Sequence, residues 1–231
     1  MWLEAAGSCQ VLINMKKTGS NFIIIAFSVC LLACSESREV TPDDLGAHFY
    51  PLEVGSFTMF QVDGVEYINA QDSTVFSYQM KESVVDSFRN DAGGLTYRIV
   101  RAKRTDWGGQ WLTDSVWTVR KEANRVIRTE GNQPLINLIF PLRAGVTWDA
   151  NGFNDREQDL YKMVSVREPF AGDHMNFDQS VTVVQEELAD RIVRFISKKE
   201  VYSENVGLVY KENVDLVYKQ GDDLGLETVS Y

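Results

Sequence analysis

Alternation of apolar and polar positions, not helical periodicity, organises this chain from Phe57 onward. Residues 74–88 show it best. Phe76, Tyr78, Met80, Val84 and Phe88 share one parity, and Ser77, Gln79, Lys81, Ser83 and Ser87 share the other. On a strand this gives one buried and one wet face. On a helix Phe76 and Tyr78 would lie about 200° apart.

Turn residues punctuate the runs. Asp63-Gly64 stands between Phe57–Val62 and Val65–Ile68, where Asp-Gly predicts a tight hairpin turn. Asn90–Gly94 precedes Thr96–Arg104, Trp107-Gly108-Gly109 precedes Trp111–Lys121, and Ala123-Asn124 precedes Arg125–Thr129. Further strands are expected at Leu135–Phe140, Thr147-Trp148, Leu160–Arg167, Val181–Glu187, Arg191–Val201 and Leu208–Lys219. The one helical expectation is a turn within Glu186–Asp190. About ten strands of this kind predict an all-β domain, an antiparallel, strongly curved sheet closing as a half-barrel, barrel or sandwich. A near-repeat, Val206–Glu212 and Val214–Gln220, has an even period. It would place Leu208, Tyr210, Leu216 and Tyr218 on one face of an unbroken strand.

The first 44 residues follow other rules. Lys16-Lys17 precede the twelve-residue apolar run Phe22–Ala33, too short for a spanning helix of roughly 20 residues and right for a signal peptide. Leu31-Leu32-Ala33-Cys34 resembles a bacterial lipobox. That resemblance implies cleavage before Cys34, acylation of its thiol and amino group, and palmitate-type anchoring in the membrane. Residues 1–33 are then the signal segment, 34–44 a polar tether and 45–231 the β domain. A start at Met15 gives the signal peptide ordinary proportions and leaves residues 1–14 superfluous. Ser35 after the cysteine fits outer-membrane sorting. The acidic Ser35-Glu36 stretch matches the Bacteroidota surface-export pattern only in part, because Arg38 interrupts it.

Charge and cysteines sharpen this picture. The chain carries 23 Lys+Arg against 33 Asp+Glu, a net charge of −10. Without residues 1–33 the balance is 21 to 32, or −11. Such a body is unsuited to nucleic acid or to electrostatic membrane binding, so the acyl chains must hold it. Of Cys9, Cys30 and Cys34 only Cys34 would survive cleavage, which leaves no disulfide and no thiolate metal site.

Tyr50-Pro51-Leu52-Glu53-Val54-Gly55, Pro141–Asn151 and Glu200–Glu212 together resemble an uncharacterised β-rich family of Bacteroidota lipoproteins, over roughly 45–220. The resemblance implies a lipoprotein with a β domain and brings no catalytic residue. By analogy of fold it points to the open β-barrels of periplasmic lipoprotein carriers.

Candidate chemistry is sparse. His48 and His174 stand apart, without metal-ligand spacing. Asp149–Glu157 is the best oxygen-rich loop for calcium, but its Gly152 does not fit the EF-hand position, so Asx turns are the simpler expectation. No hydrolase elbow or phosphate loop occurs. Trp107-Gly108-Gly109-Gln110-Trp111 brings two indoles to one loop. Trp107 and Trp111 are the expected contacts for an envelope glycan, lipid or protein partner. The expectation is an outer-membrane lipoprotein whose domain binds or supports without catalysis, needing no cofactor or metal. The alternatives are a carrier of a hydrophobic ligand and a glycan hydrolase, which needs two carboxylates in a cleft.

Overall fold

The computed structural model describes residues 41, 45–69, 72–172, 175–190, 193–219 and 222–230. The signal segment, Cys34 and most of the tether lie outside them, as does His174. The β domain falls in the unit Val40–Tyr231.

Twelve strands make one antiparallel sheet. They are β1 (Phe57–Asn69), β2 (Asp72–Arg89), β3 (Leu95–Arg104), β4 (Leu112–Lys121), β5 (Arg125–Glu130) and β6 (Gln133–Ile139). Then follow β7 (Thr147–Asp149), β8 (Leu160–Ala171), β9 (Asn176–Asp190), β10 (Arg194–Ser203), β11 (Gly207–Lys219) and β12 (Asp222–Ser230). The order across the sheet is β6-β5-β4-β3-β2-β1-β12-β11-β10-β9-β8-β7. Each strand therefore lies beside its neighbour in sequence, and β12 returns to β1. The two edges, β6 and β7, meet at a seam. There Ile136 N–H donates to Ala150 O at 2.9 Å and Trp148 Nε1 donates to Ile136 O at 2.8 Å. The all-β expectation holds, in the form of a nearly closed up-and-down barrel.

The largest apolar core lies under β2–β10, from Val84 and Ile99 round to Tyr202. Phe49, Val126, Leu138, Met163, Val181, Val183 and Tyr202 are fully buried there. A single 3-10 turn, Ala47–Phe49, closes one end of the barrel. Lys121 Nζ holds it by donating to Ala47 O at 3.2 Å and Tyr50 O at 3.1 Å. Because the strands alternate in direction, the β1–β2 and β3–β4 hairpins lie at the end opposite this plug.

Several local expectations change. Asp63-Gly64 is not a turn, since β1 runs straight through it. Gly64 faces Phe76 across the ladder. A Cβ there would sit 2.2 Å from Phe76 Cζ and 2.7 Å from the Glu227 carbonyl, so glycine answers to close approach on both sides. Gly64→Ala is expected to lower stability by about 1–3 kcal/mol in urea unfolding. An unchanged midpoint would contradict the close approach. Phe88 leaves the buried parity because a bulge between Val84 and Asp86 flips the end of β2. It is exposed, with Arg98 Cζ 5.6 Å from its ring centroid. The shift between Val201 and Tyr202 likewise sets Leu208 on the opposite face from Tyr210. Glu186–Asp190 is strand, not helix. Leu188 pairs with Ile196 across the ladder, and Lys198 Nζ reaches Glu186 Oε2 at 2.5 Å.

Candidate functional site

Two parts of the barrel concentrate chemistry: a charged bridge inside and an aromatic row outside.

The bridge joins strands on opposite walls. Arg128 comes from β5 and Glu200 from β10, 72 residues apart, and their side chains are 5% and 0% exposed. Arg128 Nη2 donates to Glu200 Oε1 at 3.1 Å, and its Nε donates to Glu130 Oε1 at 2.5 Å. Lys211 Nζ of β11 donates to the same Glu200 oxygen at 2.9 Å, and the Tyr202 hydroxyl donates to Oε2. Asn137, with its amide oriented to suit its neighbours, accepts from Arg128 Nη2 at 3.0 Å. The Arg128 guanidinium also lies 5.0 Å from the Trp117 ring centroid, and that of Arg101 lies 3.8 Å from it.

Two cations thus meet two carboxylates. Burial alone would raise the Glu200 carboxyl, but the Lys211 and Arg128 charges outweigh it and hold the group far below the ordinary range. For Arg128 the burial penalty is likewise outweighed, by Glu200 and Glu130. Burial pushes the Tyr50 hydroxyl up to about 12 and raises Tyr161 and Tyr202 as well.

Two hollows adjoin the bridge. A cleft of about 560 Å³ is lined by Phe57–Phe60, Val84, Ile99, Trp117 and Arg128, with Met175, Phe177 and Leu208. A smaller one of about 180 Å³ lies among Met80, Trp117, Glu130 and Lys211, and Arg128 borders both. Glu82, which also lines both hollows, accepts from Arg101 Nε at 2.9 Å.

The row outside is built by strand parity. Phe60, Val62 and Met80 are buried, so Phe57, Met59 and Lys81 point to the outer face. Arg104 joins that face, since it pairs with Gln79 and donates to its Oε1 at 2.8 Å. Gly108 turns the β3–β4 loop at φ +85°, a left-handed conformation suited to glycine. Trp107 beside it is 85% exposed, while Trp111 is half-buried. Arg104 Cζ lies 5.6 Å from the Trp107 ring centroid and 4.4 Å from that of Trp111. Lys81 Nζ lies 5.1 Å from Trp111 and 5.8 Å from Phe57. Aromatic and cation therefore alternate: Trp107, Arg104, Trp111, Lys81, Phe57. Neither Lys81 nor Arg104 has a carboxylate partner among the described residues.

The other candidates serve local structure. His48 Nε2 lies 3.2 Å from Glu204 Oε1 at the plugged end. In the Asp149–Glu157 loop the oxygens are turned on the loop itself. Asp149 Oδ1 accepts from the Asn151 and Asp159 amides at 3.0 Å, and Asn154 Oδ1 accepts from the Arg156 amide at 2.9 Å. These are Asx turns, and no group of three metal-ligating side chains occurs among the described residues.

No protein-family model matches the chain, and no curated protein matches it. Among solved structures it is similar to a candidate lipoprotein from Parabacteroides distasonis and to a candidate exported protein with a YmcC-like fold from Bacteroides fragilis. Each is 14% identical at a TM-score of 0.41. The alignments cover 79% of this chain and 95% and 96% of theirs. At that identity the likeness concerns the fold alone and transfers no residue's role.

The sequence pointed to the Trp107–Trp111 loop but not to its cations, because Lys81 reaches it only through strand pairing and the face that Arg104 takes is set by its pairing with Gln79. It also missed the interior bridge. A charge inside an apolar run, such as Arg128 after Val126-Ile127 or Glu200 before Val201-Tyr202, was the available signal.

Proposed function

We propose that this is a lipid-anchored, non-catalytic binding module of the cell envelope, held in the outer membrane through Cys34, whose contact surface is the Trp107–Phe57 row. The observation that carries the reading is the alternation of the Trp107, Trp111 and Phe57 rings with two cations that have no acid partner among the described residues. Aromatic faces stack on sugar rings, and flanking Arg and Lys match carboxylate or phosphate substituents. On a strongly acidic body this local cationic patch selects its own kind of ligand, an anionic glycan. The interior suits it less. The Arg128–Glu200 bridge crosses the space that a carrier would need as a continuous apolar channel. Its carboxylates are engaged in ion pairs, which supports binding over glycoside hydrolysis.

Tetragalacturonate, a uronic-acid oligosaccharide, serves as the test ligand. Trp107→Ala is expected to weaken its binding at least tenfold in calorimetric titration, about 1.4 kcal/mol. Thermal stability should stay within about 0.5 kcal/mol, because the indole is exposed. Equal affinity for the two proteins would sink the surface assignment. Anchoring is tested separately. Cys34→Ala should move the protein out of the membrane fraction or stall it as precursor, whereas normal processing and membrane retention would contradict lipidation.

A further inference from the structure

Arg104 is held more firmly than a solvated surface cation. It ends β3 directly opposite Gln79 of β2, and its Nε donates to Gln79 Oε1 at 2.8 Å. Its Cζ lies 4.4 Å from the Trp111 ring centroid and 5.6 Å from that of Trp107. One edge of the guanidinium is thus tied to the sheet while indoles pack against the group. Rotamer freedom that an arginine ordinarily loses on meeting a ligand is already given up here. Neither Nη has an acceptor among the described residues, so the end-on fork is what Arg104 offers outward.

Lys81 differs in kind. Its ammonium, 5.1 Å from the Trp111 centroid, is a point charge with three rotating donors and no preferred plane, so it attracts an anion of any shape. Trp107 fixes where the acid read by Arg104 must sit. A pyranose laid on its exposed indole rests at van der Waals separation, about 4 Å. A carboxyl bonded directly to that pyranose comes level with the guanidinium, 5.6 Å from the ring centroid. A phosphate linking two sugars is carried on rotatable C–O–P bonds and has no fixed place relative to the stacked ring.

We infer that Arg104 is the specificity-determining residue of this surface, and that the group it reads is the ring-borne carboxylate of a uronic acid stacked on Trp107. Nη1 and Nη2 donate in parallel to the two carboxylate oxygens, a fork-to-fork pairing that an ammonium cannot make. Gln79 is a positioning residue: by taking Nε it turns the Nη1–Nη2 end away from the sheet. The inference rests on the glycan-binding reading above. It narrows the ligand from anionic sugars in general to those whose acid is part of the stacked pyranose.

Calorimetric titration with tetragalacturonate and with its methyl ester tests this, since the ester keeps the sugar rings and removes the carboxylates. Wild type is expected to prefer the acid form by about tenfold or more, the worth of a charged hydrogen-bonded pair. Arg104→Lys keeps the charge but not the fork, and should cut that preference to under about threefold. Gln79→Leu leaves Arg104 in place but frees Nε, and should lower the preference at least threefold, which keeps the test open should the Arg104 variant fold poorly. An Arg104→Lys protein that keeps the wild-type preference would overturn the inference while leaving the glycan surface standing, because charge alone would then suffice. Equally tight binding of maltotetraose sulfated to the same charge would also overturn it. Binding of neither the acid nor the ester by wild type would remove the glycan surface and this inference together.

Discussion

Glu200→Gln is expected to destabilise the domain by about 3–5 kcal/mol, because it strips a buried carboxylate from two cations that stay behind. For a domain of this size that is a fall in Tm of roughly 6–20 °C. Glutamine keeps the shape and still accepts from Tyr202, so the loss reports on charge and not on volume. Arg128→Met should cost a similar amount, since Glu200 keeps only Lys211 and Tyr202 as partners. The bridge need not be net stabilising for this to hold. Replacing Arg128, Glu200 and Lys211 together by Met, Leu and Met is expected to recover most of the loss, because the desolvation cost disappears with the charges. Urea unfolding of the single and triple variants checks this. A single-variant loss under about 1 kcal/mol would show that the ion cluster is not sealed from water.

Stability should form a plateau bounded by acid and alkali, with each limb set by the interior. Glu200 titrates far lower in the folded barrel than in the unfolded chain. Its contribution is therefore complete above the unfolded carboxyl value of about 4.5 and drains away as pH falls below it. One such proton is worth about 1.4 kcal/mol per pH unit, so about 2 kcal/mol is lost between pH 4.5 and 3. Glu212, Asp114 and Asp215, also held low by their hydrogen-bonded partners, add to the same limb. Tyr50, Tyr161 and Tyr202 act in the opposite sense. Their folded values are raised, that of Tyr50 to about 12, so stability is intact below the unfolded tyrosine value of about 10 and falls as pH climbs above it. Urea midpoints from pH 3 to 11 should show both limbs, and Glu200→Gln should flatten the acid one. An acid limb unchanged in slope in that variant would contradict the assignment.

Strand positions were legible because a two-residue period survives wherever one face is buried, as Met80 and Val84 show against Lys81 and Ser83. Departures came where pairing overrides local chemistry. Asp63-Gly64 carries a turn signal, yet Gly64 is there to admit the Phe76 ring. Bulges at Val85 and near Val209 reset parity, and no residue type announces a bulge. β12 was not anticipated, although the sequence offered a turn signal in Gln220-Gly221 and an alternating run in Leu224, Leu226 and Thr228. The site followed the same divide. An exposed indole beside two glycines is local and readable, whereas Lys81 comes from β2 and Arg104 is set on the same face by its pairing with Gln79. The Arg128–Glu200 contact spans 72 residues and exists only because the sheet curls.

The most direct test of the binding surface is the set of indole N–H resonances of the domain lacking residues 1–33. It contains four tryptophans: Trp107, Trp111, Trp117 and Trp148. Titration with tetragalacturonate should shift Trp107 and Trp111, leaving Trp148 at the seam and Trp117 beside the bridge unmoved. A shift confined to Trp117, with Trp107 silent, would place the ligand inside the barrel and contradict the outer row.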